Sequence, residues 1–293
     1  MEIAAMTSLF YGQRNTVAKT PALESIRRLK KIGFSHIDLN LCGMARNENE
    51  FCRDDWREKT FELKEEAQRL GVTFVQCRSP YFVRKNAALV PCDDYDAYFK
   101  GMLARSLDIA HILSIPFAVV HPAFVEDADA KQYDVQVKAT VELHREFLEK
   151  AAALGIRPAF ENCGFCRDGE DLNMLCDRLA RYNAGVCWDI GHGNLKKTDQ
   201  CADIASLKGR ILCVHTHDNS GKNDDHLMPF FGNIAWEKVL PALRKAEFKN
   251  DLVLEVAQNK NLPEELRDPS TVLCAQASRI LIDLFNREDG GTD

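Results

Sequence analysis

The chain has 293 residues, 45 % of them apolar, with a formal net charge of −6. That length can bury a large core, and the mild acidity argues against nucleic acid or an anionic membrane surface as a partner.

From the amino terminus, MEIAAMTSLFYGQR lacks the basic start and apolar segment of an export signal. The longest uncharged stretch, 112–125, is interrupted by Pro116 and Pro122 and is too short to span a bilayer. A cytoplasmic protein is expected, its 11 cysteines reduced. No Pro/Gly/Ser-rich linker divides the chain, so one domain over 1–293 is expected.

Short apolar runs rich in β-branched and aromatic residues predict strands near 2–8, 35–40, 72–77, 116–121, 156–161, 184–189, 210–215 and 251–256. Between and after them, amphipathic stretches predict helices near 21–32, 54–70, 95–113, 133–154, 170–182, 199–208, 234–247 and 270–286. Gly33, Gly71 and Gly155 follow three of these helices, where the left-handed conformation turns the chain into the next strand. Asp54 is read as the N-cap of the second helix. Eight βα units in this length predict a closed (β/α)8 TIM barrel. The alternative, a doubly wound open sheet, would carry a Gly-rich phosphate loop after its first strand. TSLFYGQR at 7–14 is no such loop.

Four of the strand-like runs end in metal-binding side chains: RPAFEN in Glu161, GVCWDIGH in Asp189 and His192, ILCVHTHD in His215, and DLVLEV in Glu255. In a parallel barrel, strand carboxyl ends converge on one face. Three carboxylates crowded there would repel one another unless a cation lay among them. Carboxylate oxygens with one imidazole suit Mn²⁺, Mg²⁺ or Co²⁺, with Zn²⁺ as a further alternative. The competing explanation is that each acid only caps a helix or pairs with a surface lysine.

The second half resembles the xylose isomerase-like barrel superfamily of sugar isomerases, sugar 3-epimerases, inosose dehydratase, hydroxypyruvate isomerase and endonuclease IV. The resemblance runs through FEN at 160–162, WDIGH at 188–192, HTHDNSGKNDDHLMP at 215–229, GNIAW at 232–236 and the Glu255 strand; HIDLN at 36–40 and VVHP at 119–122 also match strand ends. It implies one divalent ion, manganese first, on Glu161, Asp189, His215 and Glu255, with the two glutamates moving protons at a substrate carbon. His192 matches a position contacting substrate oxygen. The implied activity is isomerisation or epimerisation of a small sugar or keto-sugar through a metal-stabilised enediolate. The alternatives are a keto-polyol dehydratase or lyase, an endonuclease IV-like polymetal nuclease and a non-catalytic metal-binding barrel.

For the nuclease reading, His121, His192, Asp224 and His226 match much of a larger ligand set, but Arg78 stands where the nucleases have histidine. A guanidinium cannot ligate a metal. Arg78 is therefore a candidate for substrate oxygen or phosphate, or a structural arginine. His121, His217, Asp224 and His226 are read as polar pocket residues, with a satisfied core imidazole as the alternative for His121. Phe230 stands where the family has a flexible glycine; Phe230 and Phe231 either wall a pocket or pack beneath their loop. Cys163 and Cys166 form a CxxC without the context of a redox or zinc motif and are read as loop thiols. A small-molecule substrate is expected, with self-association through outer helices left open.

Overall fold

The computed structural model describes residues 1–10, 20–82, 84–90, 92–123, 133–196, 198–258 and 261–287. Residues 11–14 of the amino-terminal stretch and 124–125 of the uncharged one lie outside them. Eight strands pair in chain order: β1 (Ile3–Met6), β2 (His36–Asn40), β3 (Thr73–Arg78), β4 (Phe117–Val120), β5 (Arg157–Glu161), β6 (Gly185–Asp189), β7 (Ile211–Thr216) and β8 (Leu252–Leu254). Neighbours run parallel and β8 returns to β1, so the expected TIM barrel closes.

The outer layer begins with α1 (Ala22–Ile32), α2 (Trp56–Leu70), α3 (Tyr95–Ile112) and α4 (Tyr133–Leu154). It continues with α5 (Gly169–Arg178), a short α6 (Ile190–Asn194), α7 (Gln200–Ser206), α8 (Trp236–Lys245) and α9 (Glu264–Asn286). Gly33, Gly71 and Gly155 adopt φ of 118°, 62° and 72°, as the helix-to-strand turns require. Asp94 and Asp168 cap α3 and α5 by accepting from backbone N–H groups at 3.1 and 2.9 Å. Among the described residues, no helix is long and apolar enough to cross a membrane.

Four local expectations need correction. Asp55, not Asp54, occupies the N-cap of α2, and it makes no capping bond; its carboxylate lies 3.4 Å from Lys59 instead. The helix expected over 170–182 stops at Arg178 and becomes a 3₁₀ turn, Ala180–Tyr182, that ends at left-handed Asn183. The last helix starts six residues early and carries Pro269 internally; Arg28 pairs with Glu264 at 3.0 Å and Asp268 at 2.7 Å in the added turns. Helix α6 was not expected; five residues are too few to show a helical period.

The main core lies between strands and helices, where Phe160 and Trp188 are fully buried, each burial stabilising by about 2–3 kcal/mol. A second, smaller cluster of Val119, Ala159, Cys187, Leu212 and Cys213 packs with Phe117. Side chains alternate along a strand, so residues two apart share a face. This cluster therefore puts Val119, Ala159, Cys187 and Cys213 one layer beneath His121, Glu161, Asp189 and His215.

Candidate metal centre

Above that apolar layer, one ligand atom from each of Glu161, Asp189, His215 and Glu255 lies within 4.8 Å of the others. Glu161, Asp189 and His215 are fully buried, and the Glu255 side chain is 11 % exposed. His215 Nδ1 lies 2.9 Å from Glu255 Oε2, 3.6 Å from Glu161 Oε1 and 3.9 Å from Asp189 Oδ2. Neither His215 Nδ1 nor Glu255 Oε2 has a hydrogen-bond partner. Buried polar atoms are nearly always paired, so two orphans facing each other inside a ring of carboxylates fit a bound cation. The helix-cap alternative holds for half of one residue: Asp189 Oδ1 accepts from His192 N at 2.8 Å, opening α6, while Oδ2 turns toward the ring.

Arg78, from the end of β3, reaches into the same ring. Its Nη2 lies 3.2 Å from Glu161 Oε2 and 3.2 Å from His121 Nε2, and its Nη1 is in contact with Glu255 Oε1. The arginine thus touches both candidate catalytic glutamates. Burial opposes ionisation of Glu161, but Arg78 and His121 outweigh it and hold the carboxyl well below the usual range. The same balance, with His192 and His217 as partners, keeps Asp189 low.

The remaining histidines form a rim. His121 Nε2 is 2.8 Å from Glu161 Oε2, and the His121 ring stacks on Tyr81 at 4.9 Å. His192 Nε2 lies 3.4 Å from Asp224 Oδ2. Burial lowers the His192 pKa, yet Asp189, Asp224 and Glu161 raise it to about 9, so the ring is protonated at neutral pH. Asp224, opposed by burial but bonded to His192 and His226, is held below its ordinary range. His217 is fully buried, sits 3.0 Å from Asp189 Oδ1 and stacks on His226 at 4.1 Å. A Cβ on Gly191 would lie 2.0 Å from the His217 ring, so only glycine admits that imidazole. Among the described residues, two further triads have converging ligand atoms: His217, Asp224 and His226, and His121, Glu161 and Cys163. The guanidinium of Arg78 lies against two members of the second triad.

Several residues that hold this site were not singled out from the sequence. Asn162 bridges strand ends, donating to Asp189 O at 2.8 Å and accepting from Asp189 N at 2.5 Å. Asp218, fully buried after β7, accepts from the backbone N–H of Asn219, Phe230 and Ile234 and from Trp236 Nε1. Asp38 and Gln76 lie behind His215. In each case the available signal was a polar side chain inside or directly after an otherwise apolar run.

Packing beneath the loop does not describe the two phenylalanines. Phe230 and Phe231 are 44 % and 58 % exposed. Phe231 walls an apolar cavity of about 290 Å³ lined also by Leu9, Leu227, Met228, Val256 and Cys274. Phe230 adopts φ of 72°, the left-handed region that its glycine-like position demands. Cys163 is half-buried and Cys166 buried; both are free thiols, and burial pushes both pKa values up.

Known proteins match much of the chain. "Uncharacterized protein y4fM" of Sinorhizobium fredii is 25 % identical over 170 residues, which are 56 % of this chain and 54 % of that protein. The chain spans about half the length of the curated relatives it matches. Among solved structures, D-psicose 3-epimerase with D-tagatose from Clostridium cellulolyticum H10 superposes with a TM-score of 0.73 at 16 % identity, covering 96 % of this chain and 99 % of that one. IolI protein with a binding zinc atom gives 0.71 at 16 % identity, covering 99 % and 100 %. These structural likenesses establish the shared fold. The xylose isomerase-like TIM barrel family model matches residues 26–274, and the chain belongs to that family.

Proposed function

We propose that the protein is a divalent-metal-dependent isomerase or epimerase of a small sugar or keto-sugar. The observation that carries this reading is the convergence of two glutamates, one aspartate and one imidazole from four successive strand ends, with ligand atoms within 4.8 Å. Sugar 3-epimerase and zinc-containing neighbours on the same fold support it. The donor set suits manganese first, with magnesium, cobalt or zinc as alternatives. The reading takes the chain as one cytoplasmic domain over 1–293, without nucleic-acid or membrane partners.

A divalent ion held by Glu161, Asp189, His215 and Glu255 would supply Lewis acidity to a carbonyl and its neighbouring hydroxyl. The protein's own groups handle the proton. Glu161, kept ionised, removes it from the hydroxyl-bearing carbon next to the carbonyl; Glu255, after taking a proton from solvent, delivers it to carbon, and Glu161 gives its own proton back to solvent to close the cycle. Return to the opposite face of the same carbon gives an epimer; delivery to the neighbouring carbon gives an isomer. His192 and Arg78 donate hydrogen bonds to substrate oxygen or phosphate. His121, His217, Asp224 and His226 complete the polar wall.

The two additional triads favour a second reading, a polymetal hydrolase of the nuclease type. Arg78 counts against it, because its guanidinium lies 3.2 Å from both His121 Nε2 and Glu161 Oε2, where a further cation would meet it. Metal analysis of gently purified protein separates the two: about one ion per chain is expected, and three would establish the alternative. Solvent-deuterium exchange into a panel of ketoses and keto-inositols tests the chemistry. Exchange at a carbon next to a carbonyl is expected; a panel with neither exchange nor consumption refutes the proposal.

A further inference from the structure

Behind His215, on the side away from the carboxylates, lie two buried polar side chains that the proposed chemistry does not use. Gln76 is 2 % exposed and Asp38 fully buried, and they occupy partnered positions on adjacent strands β3 and β2. Gln76 Nε2 lies 2.6 Å from Asp38 Oδ2 and 3.2 Å from His215 Nε2. Asp38 Oδ2 is itself 3.9 Å from His215 Nε2. Neighbouring interior positions hold Val119, Ala159, Cys187 and Cys213. A polar pair in such surroundings costs desolvation free energy, so its placement calls for a role.

The His215 ring supplies that role. Its Nδ1 faces all three carboxylates. A neutral imidazole has one lone pair, and if Nδ1 presents it to a cation, the ring proton must sit on Nε2. A proton on a buried nitrogen needs an acceptor, and ligating histidines almost always have one on their second nitrogen. The carboxamide of Gln76 and the carboxylate of Asp38 lie on that side.

We propose that Gln76, its carboxamide nitrogen held on Asp38 Oδ2, is a positioning residue whose oxygen, turned to His215 Nε2, accepts the ring proton and so fixes the ring with its Nδ1 lone pair toward Glu161, Asp189 and Glu255. The carboxamide has a donor end and an acceptor end. With nitrogen toward Nε2 it suits a ring protonated on Nδ1, where Nδ1–H faces Glu255. With oxygen toward Nε2 it suits the metal-binding tautomer. The pair therefore selects between an empty and a ligating His215. This inference rests on the metal-centre reading above.

Zn²⁺ titration of metal-stripped protein tests it. Gln76→Leu should weaken Zn²⁺ binding about 10- to 100-fold, and Asp38→Asn, whose carbonyl oxygen still accepts from the Gln76 nitrogen, should stay within about threefold of wild type. Thermal melts establish that each variant is folded. A measurement on the unaltered protein covers the case in which Gln76→Leu does not fold. In ¹⁵N-histidine NMR of the Zn²⁺-loaded protein, His215 should show a protonated Nε2 and a ligated Nδ1. A folded Gln76→Leu that binds Zn²⁺ as wild type does, or a ligated Nε2, overturns the inference alone. A wild-type protein that binds no Zn²⁺ overturns the metal centre and this inference with it.

Discussion

Asp218 organises the loop that carries Asp224 and His226 past the metal centre, and its replacement gives the sharpest stability prediction. Its Oδ1 accepts from Asn219 N at 2.9 Å and Ile234 N at 3.2 Å; its Oδ2 accepts from Phe230 N at 3.0 Å and Trp236 Nε1 at 3.0 Å. The carboxylate is fully buried. Asp218→Ala strands three donors from beyond its own turn, each worth about 1–3 kcal/mol. Water entering past the exposed Phe230 and Phe231 recovers part of that, leaving a loss of about 4 kcal/mol. Set against a typical total of about 5–15 kcal/mol, the loss is severe. Asp218→Asn should do no better. Its one acceptor oxygen can serve one side of the four-donor cradle, and its NH₂ then faces the two N–H groups on the other. Equilibrium urea unfolding followed by tryptophan fluorescence measures both variants, and the Trp236 indole N–H resonance reports the lost bond directly. An Asp218→Ala protein within about 1 kcal/mol of wild type, or an asparagine that restores full stability, would refute the reasoning.

Two further outcomes are expected. Glu161→Gln and Glu255→Gln should each lower turnover about a hundredfold or more on any substrate found by deuterium exchange, as loss of an acid–base group does; steady-state kinetics of the two variants provides the check. His144, buried between Phe147 and Phe160, has its pKa pushed down by burial from 6.5 to about 4. The unfolded chain therefore binds that proton first, so stability is full above pH 6.5 and falls as the pH drops toward 4. The two pKa values set that loss at about 3 kcal/mol, and His144→Leu should remove it from the difference between unfolding curves across this range.

The barrel was legible because its strands announce themselves as apolar runs bounded by glycine-capped helices. The four ligand-type residues were legible for a related reason: each breaks an apolar run at its carboxyl end, where the fold gathers such breaks. Arg78 was visible at its strand end, but its reach across the lumen to both Glu161 and Glu255 was not. Contacts between β3, β5 and β8 are set by barrel closure, which leaves no local mark. Gln76 and Asp38 gave the weaker signal of polar residues within strands, with nothing to say that they meet behind His215. Asp218 lay within a recognised motif, yet its four donors come from as far as Trp236 and depend on the path of the loop. The early start of α9 was obscured by Pro269, whose helix-breaking tendency is local, whereas the pairing of Glu264 and Asp268 with Arg28 of α1 is not.

The insertion of Arg78 among the acids also constrains valence. Glu161, Asp189 and Glu255 bring three formal negative charges, and one guanidinium leaves two uncompensated. His192 and Asp224, opposite in sign and 3.4 Å apart, cancel locally. A doubly charged guest would bring the cluster to electroneutrality. A monovalent one would leave an excess of negative charge in a largely buried site, and a second doubly charged guest would overshoot while meeting the arginine head-on. In this barrel one fixed organic cation from the third stave sets how much inorganic charge the opposite wall can accept.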